Sequence, residues 1–179
     1  MTIADDLREL IRTIPDFPKP GIRFRDVTTL LAHGDGLRRS VAGLAGLADG
    51  LDIDSVAGIE ARGFIFGSAL AVHLGLGFIP LRKPGKLPVA TIGEDYDLEY
   101  GKARLELDPT LLKPGQRVLL VDDLLATGGT AVAGTRLLRR AGGVVDSAVF
   151  VIDLPELGGA GLLAEMEVAA QSIVGFDGH

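Results

Sequence analysis

The segment Arg117 to Thr130, RVLLVDDLLATGGT, constrains the fold of this chain more than any other. In it an apolar run leads directly into two adjacent carboxylates, Asp122 and Asp123, and then into a glycine loop that precedes a helical pattern. Such a run is typical of a buried strand in a parallel sheet. Because ligands of open parallel sheets bind at the carboxyl ends of the strands, we expect both aspartates at the ligand-binding edge.

The loop after these aspartates has the features of a phosphate-binding site. Its residues are Ala126, Thr127, Gly128, Gly129 and Thr130. It offers consecutive backbone N–H groups, two residues without a Cβ, two hydroxyls and the N-terminus of a predicted helix. We therefore predict that this loop binds a phosphate group.

Asp122 and Asp123 would repel a bound phosphate, so we expect them to face hydrogen-bond donors or positive charge. Vicinal ribose hydroxyls and a hydrated Mg²⁺ both satisfy this requirement. The alternative is that the aspartates cap the helix and that the glycines form an ordinary turn. Other phosphate motifs are missing, because Gly85 and Lys86 lack the upstream glycine of a Walker loop and no G-x-G-x-x-G follows a strand. The sequence thus disfavours a nucleotide triphosphatase and a dinucleotide dehydrogenase.

Apolar runs and helical patterns alternate along the chain. The runs lie at 56–59, 77–81, 118–121 and 144–152, and the helical patterns at 3–14, 37–47 and 132–141. This alternation predicts a single α/β domain, residues 1–179, with a parallel sheet covered by helices. The uncharged run from Gly63 to Pro80 is predicted to be a buried helix, a glycine turn and a strand. Phe17 to Asp26 and Arg82 to Lys102 are predicted to be long loops.

Charge and composition exclude several classes of protein. The net charge of −6 disfavours a nucleic-acid-binding or acidic-membrane-binding protein, since either needs a basic face. There are no cysteines, so disulfides and thiolate metal sites are excluded. The acidic, amphipathic start is unlike a signal peptide. We therefore expect a cytoplasmic protein without nucleic-acid or membrane partners.

The glycine-loop segment closely resembles the phosphoribosyl pyrophosphate signature of the type I phosphoribosyltransferases. Further segments are similar to the adenine-specific, bacterial-type members of that family: PDFPKPGIRFRD at 15, GIEARGFIFG at 58, RKPGKLP at 82, YDLEYG at 96 and the ending GFDGH. The resemblance implies the type I phosphoribosyltransferase fold, a central, mostly parallel sheet flanked by helices with a small N-terminal hood and a mobile catalytic loop. It also implies Mg²⁺-dependent transfer of a ribosyl phosphate group from phosphoribosyl pyrophosphate to N9 of adenine, giving AMP and pyrophosphate in purine salvage.

Cations near the predicted sheet edge are candidates for pyrophosphate binding. Arg62 follows a strand and can donate a planar pair of hydrogen bonds to an anion, although it could instead pair with Glu60 at the surface. Arg82, Lys83 and Lys86 form a cationic cluster, for which a solvated face is the alternative. By resemblance, Arg62 belongs to the pyrophosphate loop, with a non-proline cis peptide between Glu60 and Ala61.

The remaining assignments rest mainly on the resemblance. Glu99 matches the catalytic carboxylate that reaches the purine N7, and Tyr100 is its partner on the catalytic loop, whereas composition alone indicates a flexible acidic loop. Phe24 and Leu124 are expected to sandwich the base, with the backbone at Arg23 and the region of Arg25 contacting its edge. A core role for Phe24 is the alternative.

Two alternative functions are compatible with these residues, and the resemblance also implies an assembly state. The same fold could act on another purine base, or it could be a non-catalytic regulator that binds phosphoribosyl pyrophosphate. The net acidic chain has no basic helix for nucleic acid, which disfavours the regulator. The resemblance also implies a homodimer in which Arg82 reaches the neighbouring active site.

Overall fold

A five-stranded parallel sheet forms the centre of the computed structural model, which describes residues 3–98 and 101–178. The elements are α1 (Ile3–Leu10), β1 (Arg12–Pro15), β2 (Arg23–Asp26), α2 (Thr28–Ala32), α3 (Gly34–Leu47), β3 (Ser55–Ile59), α4 (Arg62–Leu74), β4 (Gly77–Leu81), β5 (Ile92–Leu98), β6 (Gly101–Leu107), β7 (Val118–Leu125), α5 (Gly129–Arg140), β8 (Ser147–Asp153), α6 (Gly159–Ala164) and β9 (Ala169–Gly175). Short 3₁₀ helices span Pro109–Leu111 and Pro155–Leu157.

The central sheet has the strand order β4-β3-β7-β8-β9, and every neighbouring pair is parallel. All residues of β3 and the first four of β7 are buried. Both faces of these strands are covered, which explains why they are apolar without alternation. The predicted α/β fold with a parallel sheet is confirmed.

Residues of one strand divide between two hydrophobic clusters according to the face of the sheet they occupy. Leu120 of β7 packs in the cluster that includes Leu137 of α5. Leu119 packs in the opposite cluster, with Phe66 of α4 and Leu44 of α3. The carboxyl ends of the strands, between these two layers, remain available to a ligand.

The uncharged run at 63–80 has the predicted structure. It forms α4, a turn at Gly75 with φ of +69°, and β4. Within residues 3–98 and 101–178, no helix combines the length and apolar character needed to cross a membrane.

Several sequence predictions of secondary structure were wrong at their boundaries. The first helix ends at Leu10 instead of Ile14, because Arg12–Pro15 pairs with β2 as an antiparallel ribbon. The predicted polar loop at 82–102 contains β5 and the start of β6, which form an antiparallel hairpin. The strand predicted from Val144 starts at Ser147, and β9 was not predicted.

The β1–β2 ribbon, which forms the small N-terminal hood, is joined to α2 by the buried carboxylate of Asp26. Asp26 accepts hydrogen bonds from the backbone N–H of Thr28 at 2.9 Å, the Thr28 hydroxyl at 2.8 Å and Arg12 Nη2 at 2.5 Å. The Thr28 backbone N–H, followed by Arg12, lowers the pKa of Asp26 to about 2. The ionised carboxylate is therefore a stabilising element of the hood.

We expect Asp26→Asn to lower the free energy of unfolding at neutral pH by on the order of 1 to 2 kcal/mol, since a carboxylate with a depressed pKa stabilises the folded state above its unfolded pKa. The deficit should be complete above about pH 4 and should shrink as the pH falls toward the folded value of about 2. Urea denaturation over a pH series measures it, with exposed Asp49→Asn as the control. A deficit of equal size at all pH values would contradict this account.

Candidate active site

Two adjacent carboxylates lie at the carboxyl end of β7. Asp123 is 3% exposed, and Asp122 Oδ1 accepts the backbone N–H of Asp123 at 2.8 Å. Burial, followed by the neighbouring Asp123, raises the pKa of Asp122. A cation or hydroxyl donors at this position would stabilise the ionised pair.

Arg62, the first residue of α4, forms an ion pair with Asp123. This pair requires Gly63, because a Cβ there would lie 2.7 Å from Asp122 Oδ1 and 3.1 Å from the carbonyl oxygen of Val121. Burial lowers the pKa of Arg62, but the charge and hydrogen bond of Asp123 outweigh it, and the net shift is upward. Arg62 therefore remains a cation beside the carboxylates.

Glu60 pairs with Arg82 rather than with Arg62. Arg82 Nε donates to Glu60 Oε2 at 3.0 Å, and the backbone N–H of Lys83 donates to the same oxygen at 2.7 Å. The surface pair of Arg62 with Glu60, considered as an alternative, is thus not formed. The Glu60–Ala61 peptide bond is cis, as the resemblance implied.

The predicted cationic cluster is divided in this structure. Lys83 lines a cavity of about 680 Å³ at the sheet edge, together with Arg62, Asp122 and Asp123. Arg82 is held by Glu60, and Lys86 is exposed, with its carbonyl oxygen 3.4 Å from Arg82 Nη1. The structure therefore brings Lys83, but neither Arg82 nor Lys86, to the wall of this cavity.

The predicted phosphate loop forms a second cavity, of about 190 Å³, at the N-terminus of α5. Its lining includes all five loop residues, Ala126, Thr127, Gly128, Gly129 and Thr130, as well as Asp122, Asp123 and Arg62. Gly128 has φ of +87°, and a Cβ there would lie 2.9 Å from the Cα of Gly159. The loop is therefore packed from behind by the start of α6, with its backbone N–H groups at a helix N-terminus.

The hairpin β5–β6 lies over this loop. Tyr96 and Thr130 line the larger cavity together, and a Cβ on Gly129 would lie 3.2 Å from the carbonyl oxygen of Asp97. At the other end of α5, Arg140 Nη1 donates to the carbonyl of Gly93 and to Glu94 Oε2, both at 2.8 Å. The hairpin is therefore attached to both ends of α5.

A third cavity, also of about 190 Å³, contains the predicted base-binding residues. Its lining is Ile22, Arg23, Phe24, Arg25, Arg62, Leu124, Ala126, Thr127, Leu154 and Leu157. Phe24 and Leu124 lie together as predicted, and the Phe24 ring also meets Phe17 edge-on, with centroids 5.3 Å apart. Phe24 thus both lines the cavity and packs on the proline-rich loop.

Arg62 lines all three cavities and so connects them into one site. Sequence reasoning missed Tyr96, Leu154 and Leu157. The position of Leu154 directly after a parallel strand could have indicated the leucines, because that end of a strand faces ligands. The predicted catalytic residues Glu99 and Tyr100 lie outside the described residues.

Comparison with known proteins gives the family. Residues 27–161 match the phosphoribosyl transferase domain. The chain belongs to the phosphoribosyltransferase family. Adenine phosphoribosyltransferase of Erythrobacter litoralis is 59% identical to it over 179 residues, covering 100% of both chains.

Solved phosphoribosyltransferases confirm the fold class. Adenine phosphoribosyltransferase of Thermoanaerobacter pseudethanolicus superposes with a TM-score of 0.93 at 44% identity, covering 98% of this chain and 100% of that one. The Saccharomyces cerevisiae enzyme, solved with an imino-altritol bisphosphate and adenine, has a TM-score of 0.88 at 31% identity, covering 96% and 98%. The predicted enzyme class, a phosphoribosyltransferase, is confirmed.

For this phosphoribosyltransferase, we expect Gly128→Ala to weaken the binding of ribose 5-phosphate by roughly tenfold or more, because a residue with a Cβ is strained by about 1 to 2 kcal/mol at positive φ. The new Cβ also overlaps the backbone of Gly159. Titration calorimetry measures the affinity. Gly161→Ala in α6, where a Cβ meets no atom within 4 Å, is the control. Unchanged affinity in Gly128→Ala would remove this loop from phosphate binding.

Proposed function

We propose that this phosphoribosyltransferase transfers the 5-phosphoribosyl group of phosphoribosyl pyrophosphate to N9 of adenine, with AMP and pyrophosphate as products. The observation that carries the proposal is the 59% identity to an adenine phosphoribosyltransferase over the full chain. The geometry of the site supports it, because a phosphate loop and a small, largely apolar cavity share the wall formed by Arg62.

Each part of the substrate has a position with suitable chemistry. The 5-phosphate binds the backbone N–H groups at the start of α5, and the ribose hydroxyls donate to Asp122 and Asp123. The pyrophosphate occupies the larger cavity beside Arg62 and Lys83. The base lies in the third cavity, against Phe24 and Leu124. The reacting sugar carbon is thereby placed between base and pyrophosphate.

Arg62 stabilises the leaving group in this arrangement. Cleavage of the bond to pyrophosphate builds positive character on the ribose and negative charge on the departing oxygen. A cation fixed beside that oxygen lowers the barrier because it needs no reorganisation during the step. The pair with Asp123 holds the guanidinium at the junction of the cavities.

The carboxylates of β7 suit a magnesium ion held partly by substrate. Within the described ranges, no group of three or more acidic or histidine side chains could form a metal cage. Mg²⁺ commonly binds one or two carboxylates together with water and phosphate oxygens, and Asp122 and Asp123 fit that pattern. Bound there, the ion would neutralise charge on the pyrophosphate.

Other expectations of the family resemblance stay predictions. The roles of Glu99 as the carboxylate at N7 and of Tyr100 as its partner are predictions, as are the roles of Lys86 and of Arg82 in a neighbouring site. A cytoplasmic location, a place in purine salvage and the single-domain organisation have the same standing.

The proposal predicts AMP formation from adenine, phosphoribosyl pyrophosphate and Mg²⁺. Hypoxanthine and guanine in parallel reactions should react at least about tenfold more slowly, because each presents a carbonyl group where adenine presents an amine. Chromatographic quantification of nucleotide products measures both. Faster turnover of another base would retain phosphoribosyl transfer and discard adenine. No turnover with retained phosphoribosyl pyrophosphate binding would favour the regulator.

We also propose a homodimer that uses the outer face of α4. Val72 is 82% exposed and Ile65 is 41% exposed. They are two helical turns apart and so lie on the same face. Apolar side chains presented together on one helix face are suited to a protein interface.

We expect the 18.7 kDa chain to sediment at about twice its mass. Val72→Asp should shift it toward the monomer, because a carboxylate is costly to bury in an apolar interface. Val89→Asp, at a residue 50% exposed outside α4, is the control. Sedimentation velocity at several concentrations measures both. A monomeric unaltered chain with full activity would contradict the homodimer.

A further inference from the structure

The base cavity contains a buried cation whose hydrogen bonds go to neutral acceptors. Arg25 is 8% exposed, donates from Nη1 to the Thr13 hydroxyl at 2.6 Å and from Nη2 to the carbonyl oxygen of Asp177 at 3.2 Å. Its buried Nε has no hydrogen-bond partner in the part of the chain that the structure describes. Burial, followed by the charges of Arg23 and Arg8, lowers the pKa of Arg25. Such a guanidinium needs another stabilising contact.

Phe176, immediately after β9, supplies that contact. Its ring centroid lies 4.5 Å from Arg25 Cζ and 5.1 Å from Arg8 Cζ. Both distances are within the range of a cation–π interaction. The ring therefore contacts two like-charged side chains, Arg8 of α1 and Arg25 of β2. The attraction offsets part of the free-energy cost of burying these charges.

The backbone holds Phe176 in place from both sides. Its N–H donates to the carbonyl oxygen of Asp153 at 3.0 Å, which fixes it to the end of β8. The next residue, Asp177, supplies the carbonyl oxygen that accepts from Arg25. Phe176 is 8% exposed and packs in the cluster that also includes Leu154, a wall residue of the base cavity. The C-terminal segment thus forms the support behind Arg25.

We propose that Phe176 is a positioning residue for base recognition, which holds the guanidinium of Arg25 at the wall of the base cavity. The inference rests on the proposed function. It extends the site to the C-terminal segment 176–178, which lines none of the three cavities. Unlike a contact to substrate, this effect reaches the base through Arg25.

The positioning role predicts that Phe176→Leu, which keeps an apolar side chain but removes the aromatic face, raises the KM for adenine by about three- to tenfold. The KM for phosphoribosyl pyrophosphate and kcat should change by less than about twofold. The variant loses only an interaction that binds adenine equally well in the ground state and in the transition state. Phe176→Tyr, which keeps the ring, should restore the KM for adenine. Phe78→Leu, at a partly buried ring of β4 outside the base cavity, is the control.

A double variant separates positioning from a general structural role. If Phe176 acts through Arg25, then Phe176→Leu should raise the KM for adenine little further in an Arg25→Lys background, because coupled residues are not additive. An unchanged KM for adenine in Phe176→Leu, equal rises in both KM values, or full additivity in the double variant would overturn the inference while leaving adenine transfer intact. Failure of the unaltered chain to form AMP would overturn the proposed function and this inference with it.

Discussion

The ion pair of Arg62 and Asp123 connects the start of α4 to the carboxyl end of β7, and the rest of the site is arranged around it. Asp123 lies at the end of β7, whose burial on both faces fixes the position of the carboxylate. Arg62 reaches it because Gly63 allows α4 to approach the end of β7 closely. A buried carboxylate without a cation would be strongly unfavourable, so Asp123 requires Arg62. The pair thereby holds Arg62 where the three cavities of the site meet.

The parts of the site that follow one another in sequence could be predicted, and those made by distant contacts could not. The loop from Ala126 to Thr130 was recognised because its strand, glycines and helix are consecutive. By contrast, nothing local indicates that Arg62 pairs with Asp123, 61 residues away, or that Arg25 meets Asp177, 152 residues away. The base-cavity residues Phe24 and Leu124 were found through family resemblance rather than through periodicity.

The same contrast between features encoded by consecutive residues and features made by distant contacts applies to the secondary structure. The strands β3, β4 and β7 were predicted because each is a continuous apolar run, which can be recognised without knowing which strands lie beside it. The ribbon β1–β2 and the hairpin β5–β6 are rich in charge, and their strands form through pairing and through anchors such as Arg140 to Glu94. The helical spacing of apolar residues continues past Leu10, so the sequence predicts a longer first helix. The helix ends at Leu10 because the residues after it pair with β2.

Arg62 borders all three cavities of the site, so a ligand that reorients this side chain in one cavity also changes the surroundings of ligands in the other two. Linkage thermodynamics makes such an influence mutual. If the first substrate strengthens the binding of the second by orienting this guanidinium, the second strengthens the binding of the first by the same free energy. A single side chain can in this way make the affinities of chemically unlike ligands interdependent without any movement of the sheet.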